Sequence, residues 1–160
     1  MHQDGTFYAA LPLNLQNDQF DPDGPKRLYQ RGLELDLVAL AQAAAAWAAE
    51  TGAAGDFTLS AALHRFDGSN VDEPVRLVVS ESAFQHGPAM PLPETPAQTT
   101  GDLAAIVTDK REAVVVAFAL ASDLLADMGA HQPHVLTLEG DILTDRLNDG
   151  FRHQLRDWGA

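Results

Sequence analysis

The sequence predicts an α+β fold. The expected form is a two-layer sandwich, a mainly antiparallel sheet of four to five strands covered by two long helices, in the order ββαββα. Three observations predict it. Two stretches, 33–51 and 109–128, carry apolar residues at helical spacing. Short segments rich in Val, Leu, Phe and Tyr lie between them, bounded by Pro, Gly, Asp and Asn. The chain has 160 residues, the length of one domain. Strand runs interspersed with only two long helices favour α+β packing over parallel βαβ winding.

The elements follow in order. In "TFYAALPLNL", 6–15, Phe7, Tyr8 and the leucines support a first strand. Pro12 places it at an edge or a bulge. "QNDQFDPDGP", 16–25, is a loop by its turn residues. "KRLYQR", 26–31, is a short second strand. In the first helix, Leu33, Leu37, Leu40, Ala44, Trp47 and Ala48 form the inward stripe. Asp36, Ala43, Ala46 and Glu50 fall near the opposite face. Glu34 and Asp36 lie near its start, where the positive dipole end favours acids. Alanine favours helix, and Gly52 stops it. Small alanines let the helix lie close on a sheet, with Trp47 as the large anchor.

"FTLSAALHRF", 57–66, alternates as a third strand, with Phe57, Leu59 and Ala61 on one face. "VRLVVSESAF", 75–84, is a fourth. Asp67-Gly68 opens the link between them, so 57–84 reads as a hairpin. "HGPAMPLPETPAQTTGD" is rich in proline and aperiodic, so 86–101 reads as a long surface loop. A helical turn at 102–107 leads into the second long helix, capped by Thr108 or Asp109 and ended by Gly129. Its first half is apolar nearly all round. Such a helix is either central to the domain or meets another subunit. A short extended pair near Glu139-Gly140 and a last helix at 150–157 close a single α+β domain over 1–160.

Charge bounds the function. Ten Lys and Arg face twenty-three Asp and Glu, a formal net of −13. That surface repels phosphate backbones and anionic lipid, so neither nucleic acid nor membrane is an expected direct partner. The chain has no cysteine, which removes thiol chemistry and thiolate zinc sites. The N-terminus has no basic region before an apolar block, so the expected location is cytoplasmic.

Catalytic motifs are missing. His131 and His134 form H-x-x-H on a Pro-containing connector, without the acid of H-E-x-x-H. Asp21 and Asp23 open like a calcium loop, but the downstream acids do not follow. No G-x-S-x-G and no glycine-rich phosphate loop occurs. The expected sets of catalytic, cofactor-binding and metal-ligating residues are therefore empty, and no cofactor is expected. Two candidate surfaces remain. Ser80, Glu81 and His86 would rim a ligand site if the 86–102 loop were a lid. Val115, Val116, Ala119 and Leu120 would form a self-association face.

"MHQDGTFYAAL", "GLELDLVALAQAAAAWAAETGAAGDFTLSAAL", "DKREAVVVAFALASDLLADMG" and "LTLEGDILTDRL" followed by "LRDWG" carry a resemblance. The chain resembles the C-terminal portion of actinobacterial proteins that carry a Schlafen/AlbA-like DNA-binding domain. The resemblance implies an accessory or regulatory domain rather than an enzyme. It transfers no catalytic residue. The matching motifs lie outside the nucleic-acid module, so it does not imply DNA binding here.

Three functions are thus expected in order: a non-catalytic protein-interaction or regulatory domain, with a protein partner or a second copy; an acidic inhibitor or immunity-type protein with a basic partner; and a small-ligand binder or hydrolase with the 86–102 loop as lid.

Overall fold

The computed structural model describes residues 9–13, 15–17, 21–64, 73–79, 86–147 and 152, and of 86 and 87 the backbone alone. Within them the fold is α+β, with one sheet of four strands and one of two. The strands are β1 (Leu15–Gln16), β2 (Lys26–Tyr29), β3 (Asp56–Ala61), β4 (Val75–Val78), β5 (His86–Met90) and β6 (Ala97–Asp102). The helices are α1 (Gln30–Glu50), α2 (Leu103–Thr108) and α3 (Lys110–Asp127).

Helix α1 continues directly from β2, with no side-chain cap at Tyr29. Its C-terminus is a Schellman turn. Gly52 adopts φ +75°, its N–H bonds the Ala49 carbonyl, and the Ala53 N–H bonds that of Ala48. Gly129 ends α3 in the same way, with Ala130 N–H on the Leu125 carbonyl. Asp102 and Asp109 cap α2 and α3 through their carboxylates. Both glycine stops and the Asp109 cap are as the sequence predicts.

The buried stripe of α1 is Leu33, Glu34, Leu37, Val38, Ala41 and Ala45. It is rotated from the expected stripe, in which Leu40, Ala44 and Trp47 are only half-buried. Trp47 is therefore not the anchor. The buried leucines lie in its N-terminal half, and the helix packs against α3. Helix α3 buries Val114, Ala117, Leu120, Ala121, Leu124 and Leu125. It packs against α1, α2 and β6. Of the expected self-association face, Val116 and Leu120 are core residues, 5% and 2% exposed, while Val115 and Ala119 are half-buried. Half of that face thus lies inside the fold.

Strand pairing corrects the sequence reading in two places. The 57–84 hairpin does not form. β3 pairs antiparallel with β6 over six residue pairs, and β4 lies between β2, in parallel, and β5. The reason is burial. Val75, Leu77 and Val78 of β4 are all buried, which demands neighbours on both edges and cover on both faces. The parallel β2–β4 pair needs a long crossover, and α1 with β3 supplies it.

The expected 86–101 loop is also corrected. It contains β5 and most of β6, joined by 91–96. Pro88 is accommodated because β5 is the edge strand and the β4–β5 register shifts between Arg76 and Val78. β6 escapes notice because its inward residues are small. Ala97, Thr99 and Gly101 face Ala61, Leu59 and Phe57 across the ladder. A Cβ on Gly101 would come within 3.1 Å of the Phe57 ring and 3.2 Å of Val116 Cγ2. The small strand thus lets α3 lie directly on it.

The expected extended pair around Glu139-Gly140 is a single antiparallel bridge, Leu136 to Ile142, with Glu139 and Gly140 in the turn between them. Gly140 has φ +83°, and a Cβ there would meet the Arg111 carbonyl at 2.8 Å. Of the expected first strand, 9–13 are not strand and Leu15 belongs to β1, while 6–8 and 14 lie outside the described residues. The expected helix at 150–157 lies outside the described residues except for Arg152, which is helical.

By length and composition alone, α1 is apolar enough to cross a membrane. In the fold that apolarity faces the core: Leu33, Leu35, Leu37, Val38, Ala41 and Ala45 are buried.

Candidate functional site

Helix α1 carries two acids two positions apart, and the fold treats them differently. Two positions turn the helix by about 200°, so they face opposite neighbours.

Glu34 is fully buried. Its carboxylate accepts the backbone N–H groups of His134 (2.7 Å), Val135 (2.7 Å) and Leu136 (3.2 Å). It also accepts Gln30 Nε2 at 2.8 Å, and the same amide donates to the Gln132 carbonyl at 3.0 Å. Successive N–H groups aimed at one anion form a cradle that replaces its water. The connector is held from the other side as well. Arg146 Nη1 donates to the His134 carbonyl, and Leu143 N–H to that of Val135. Glu34 is thus a structural clamp with its acceptor positions occupied. Its expected role as a first-turn acid is replaced by this one.

Asp36 lies on the other side, half-buried at a cavity of about 200 Å³. The cavity lies between α1, the end of β3 with the residues after it, the 9–13 segment and Leu120 of α3. Leu33, Leu37 and Leu40 give one wall, and Leu59 and Leu63 another. Asp36, Ser60 and His64 are the polar residues on its wall, and among the described residues no lysine or arginine lines it. Burial pushes the Asp36 carboxyl above its ordinary value. Among the described residues none donates a hydrogen bond to it.

Ser60, His64 and Asp36 invite comparison with a nucleophilic triad. Neither Ser60 nor Asp36 is hydrogen-bonded to His64, and Ser60 lies on an exposed strand position. The linkage that activates a serine is not made.

The other sequence candidates fall elsewhere. Ser80 and Glu81 lie outside the described residues. The backbone of His86 opens β5 opposite Val78, so it sits on a strand and not on a lid. His131 is exposed, and His134 uses its backbone on Glu34 and Arg146. Among the described residues no group of three or more His, Asp or Glu side chains could hold a metal ion.

Sequence reasoning saw Asp36 but put it on the outer face. One signal could have found the site. In "GLELDLVAL" two acids alternate with three leucines, so helix geometry cannot leave every leucine inside and both acids outside. Comparison of the chain with protein-family models, with curated proteins and with solved structures found no match.

Proposed function

We propose that this chain is a non-catalytic binding domain, accessory or regulatory in role and working in the cytoplasm, with the α1–β3 cavity as its ligand site. One observation carries the reading: an apolar cavity of about 200 Å³ with, among the described residues, one carboxylate on its wall and no activated nucleophile beside it. The size is informative. A dry apolar cavity of roughly 150 Å³ takes up benzene. Drug-sized ligand pockets start at about 300 Å³. A nucleotide cofactor is too large, and its phosphates would meet Asp36 with no basic side chain among the described lining residues to receive them.

The reading is tested by titrating benzyl alcohol, a neutral probe of matching size, while following backbone amide shifts by NMR. Shifts concentrated at Leu37, Leu40, Leu59 and Leu63 support it. Their loss in Ala44→Leu, which fills the cavity from α1, completes the support. No shift at these residues with millimolar probe rejects it.

A protein partner is the second reading, favoured by the net charge of −13. It requires a basic partner whose binding weakens steeply with salt. Salt-insensitive capture removes it.

A further inference from the structure

The cavity's chemistry narrows the ligand class further, on the reading that the cavity is a ligand site. Its walls are leucine and alanine, so the body of a ligand must be apolar. Its volume of about 200 Å³ accommodates one ring and a short arm, roughly eight heavy atoms. The remaining question is the charge of the head group.

Asp36 decides it. An anionic head would add a second negative charge beside a carboxylate, with no lysine or arginine among the described lining residues to offset it. A neutral body would remove the remaining water from Asp36 and leave an acceptor without a donor, the costly case. An ammonium group supplies both the opposite charge and three N–H donors. The surrounding protein acts in the same direction. A chain of net charge −13 concentrates small cations near its surface and repels anions.

We propose that the α1–β3 cavity is selective for a small primary amine with an apolar body, held by an ion pair between its ammonium and the Asp36 carboxylate, with the leucines of α1 and β3 around the apolar part. The burial that disfavours ionised Asp36 in the empty cavity is relieved when the cation arrives. His64 is the other ionisable residue on the wall among the described residues, and it is exposed. It leaves Asp36 as the half-buried charge that a ligand inside the cavity must satisfy.

The test uses three probes of nearly one shape: benzylamine, benzyl alcohol and benzoate. Each is titrated at pH 7 into the wild-type protein, into Asp36→Asn and into Glu50→Gln. Glu50 is exposed at the far end of α1, so its variant removes one charge away from the cavity. Dissociation constants come from amide shifts of the cavity residues. The expected result is benzylamine binding at least about tenfold tighter than benzyl alcohol, with benzoate weakest. In Asp36→Asn the ratio of amine to alcohol affinity falls to about one, while Glu50→Gln keeps it. Equal or tighter binding of benzyl alcohol by the wild type overturns the amine class and leaves the cavity as a ligand site. An amine preference that survives Asp36→Asn also overturns it, because the preference then arises from overall charge. If none of the three probes binds, the ligand-site reading and the amine class fall together.

Discussion

The two sides of helix α1 show what a fold does with a carboxylate that its sequence places among leucines. On one side Glu34 is buried with its acceptors filled by three backbone N–H groups and Gln30. On the other, Asp36 is half-buried beside leucines with no hydrogen-bond donor among the described residues. The first arrangement joins α1 to a connector 100 residues away in sequence. The second leaves an acceptor on the cavity wall with no protein donor among the described residues. A buried acid with complete partners is a structural tie; a half-buried one without a protein donor is where the proposed ligand would bind.

The largest effect should come from breaking the tie. Glu34→Ala leaves the N–H groups of 134–136 unpaired in the interior, at about 1–3 kcal/mol each. A loss of at least about 3 kcal/mol in urea unfolding is expected. Glu34→Gln should recover part of it, because its amide oxygen still accepts. A loss below about 1 kcal/mol for Glu34→Ala would mean the connector is held without the clamp.

Next in size is Gly140→Ala, which attacks the same side of the molecule by packing. The new Cβ meets Arg111 at 2.8 Å, and φ is +83°. About 2–3 kcal/mol of destabilisation is expected. Gly52→Ala separates the two causes. Gly52 has φ +75° with nothing within 4 Å, so that variant should lose only about 1 kcal/mol. Equal melting temperatures for the two variants would show that the 137–141 turn is not pressed against α3.

Ala44→Leu probes the Asp36 side. A side chain that enters a cavity should change stability by no more than about 1 kcal/mol, far less than overpacking a filled core. A drop of about 3 kcal/mol would mean that the space is not open.

The smallest effect sharpens the contrast. Asp36 has its pKa raised by burial, so the folded state binds its proton more tightly than the unfolded state does. The stability this group contributes is complete below the ordinary aspartate value. It is lost as pH rises through the raised folded value, so ionised Asp36 is a cost at neutral pH. Asp36→Asn should therefore be slightly more stable than wild type at pH 7, by less than about 1 kcal/mol for a half-buried group. The advantage should shrink as the pH falls toward the ordinary aspartate value. Urea curves at neutral and acid pH measure both points. A variant less stable than wild type at pH 7 would reveal a favourable partner for Asp36.

Much of this was legible residue by residue. Gly52 and Gly129 as helix stops, Asp109 as a cap, and the inward face of Phe57, Leu59 and Ala61 follow from backbone sterics and side-chain period, which are local. The two strands in 86–102 were not legible. Pro88 and the small side chains of "AQTTGD" hide a strand whose inward face is built to admit a helix rather than to carry apolar bulk. The candidate site was visible only as a conflict, in that "LELDL" cannot satisfy all its residues at once.

The amino-acid sequence by itself determined the α+β class, where α1 ends, where α3 begins and ends, and a net charge of −13. These depend on neighbours a few residues apart and on a sum of charges. Only the tertiary structure decided that β3 pairs with β6 and not with β4, that α3 is interior, and that Glu34 is satisfied while Asp36 is not. Each of these depends on which distant groups arrive at a surface. An N–H from Val135 or its absence lies outside the reach of any local pattern.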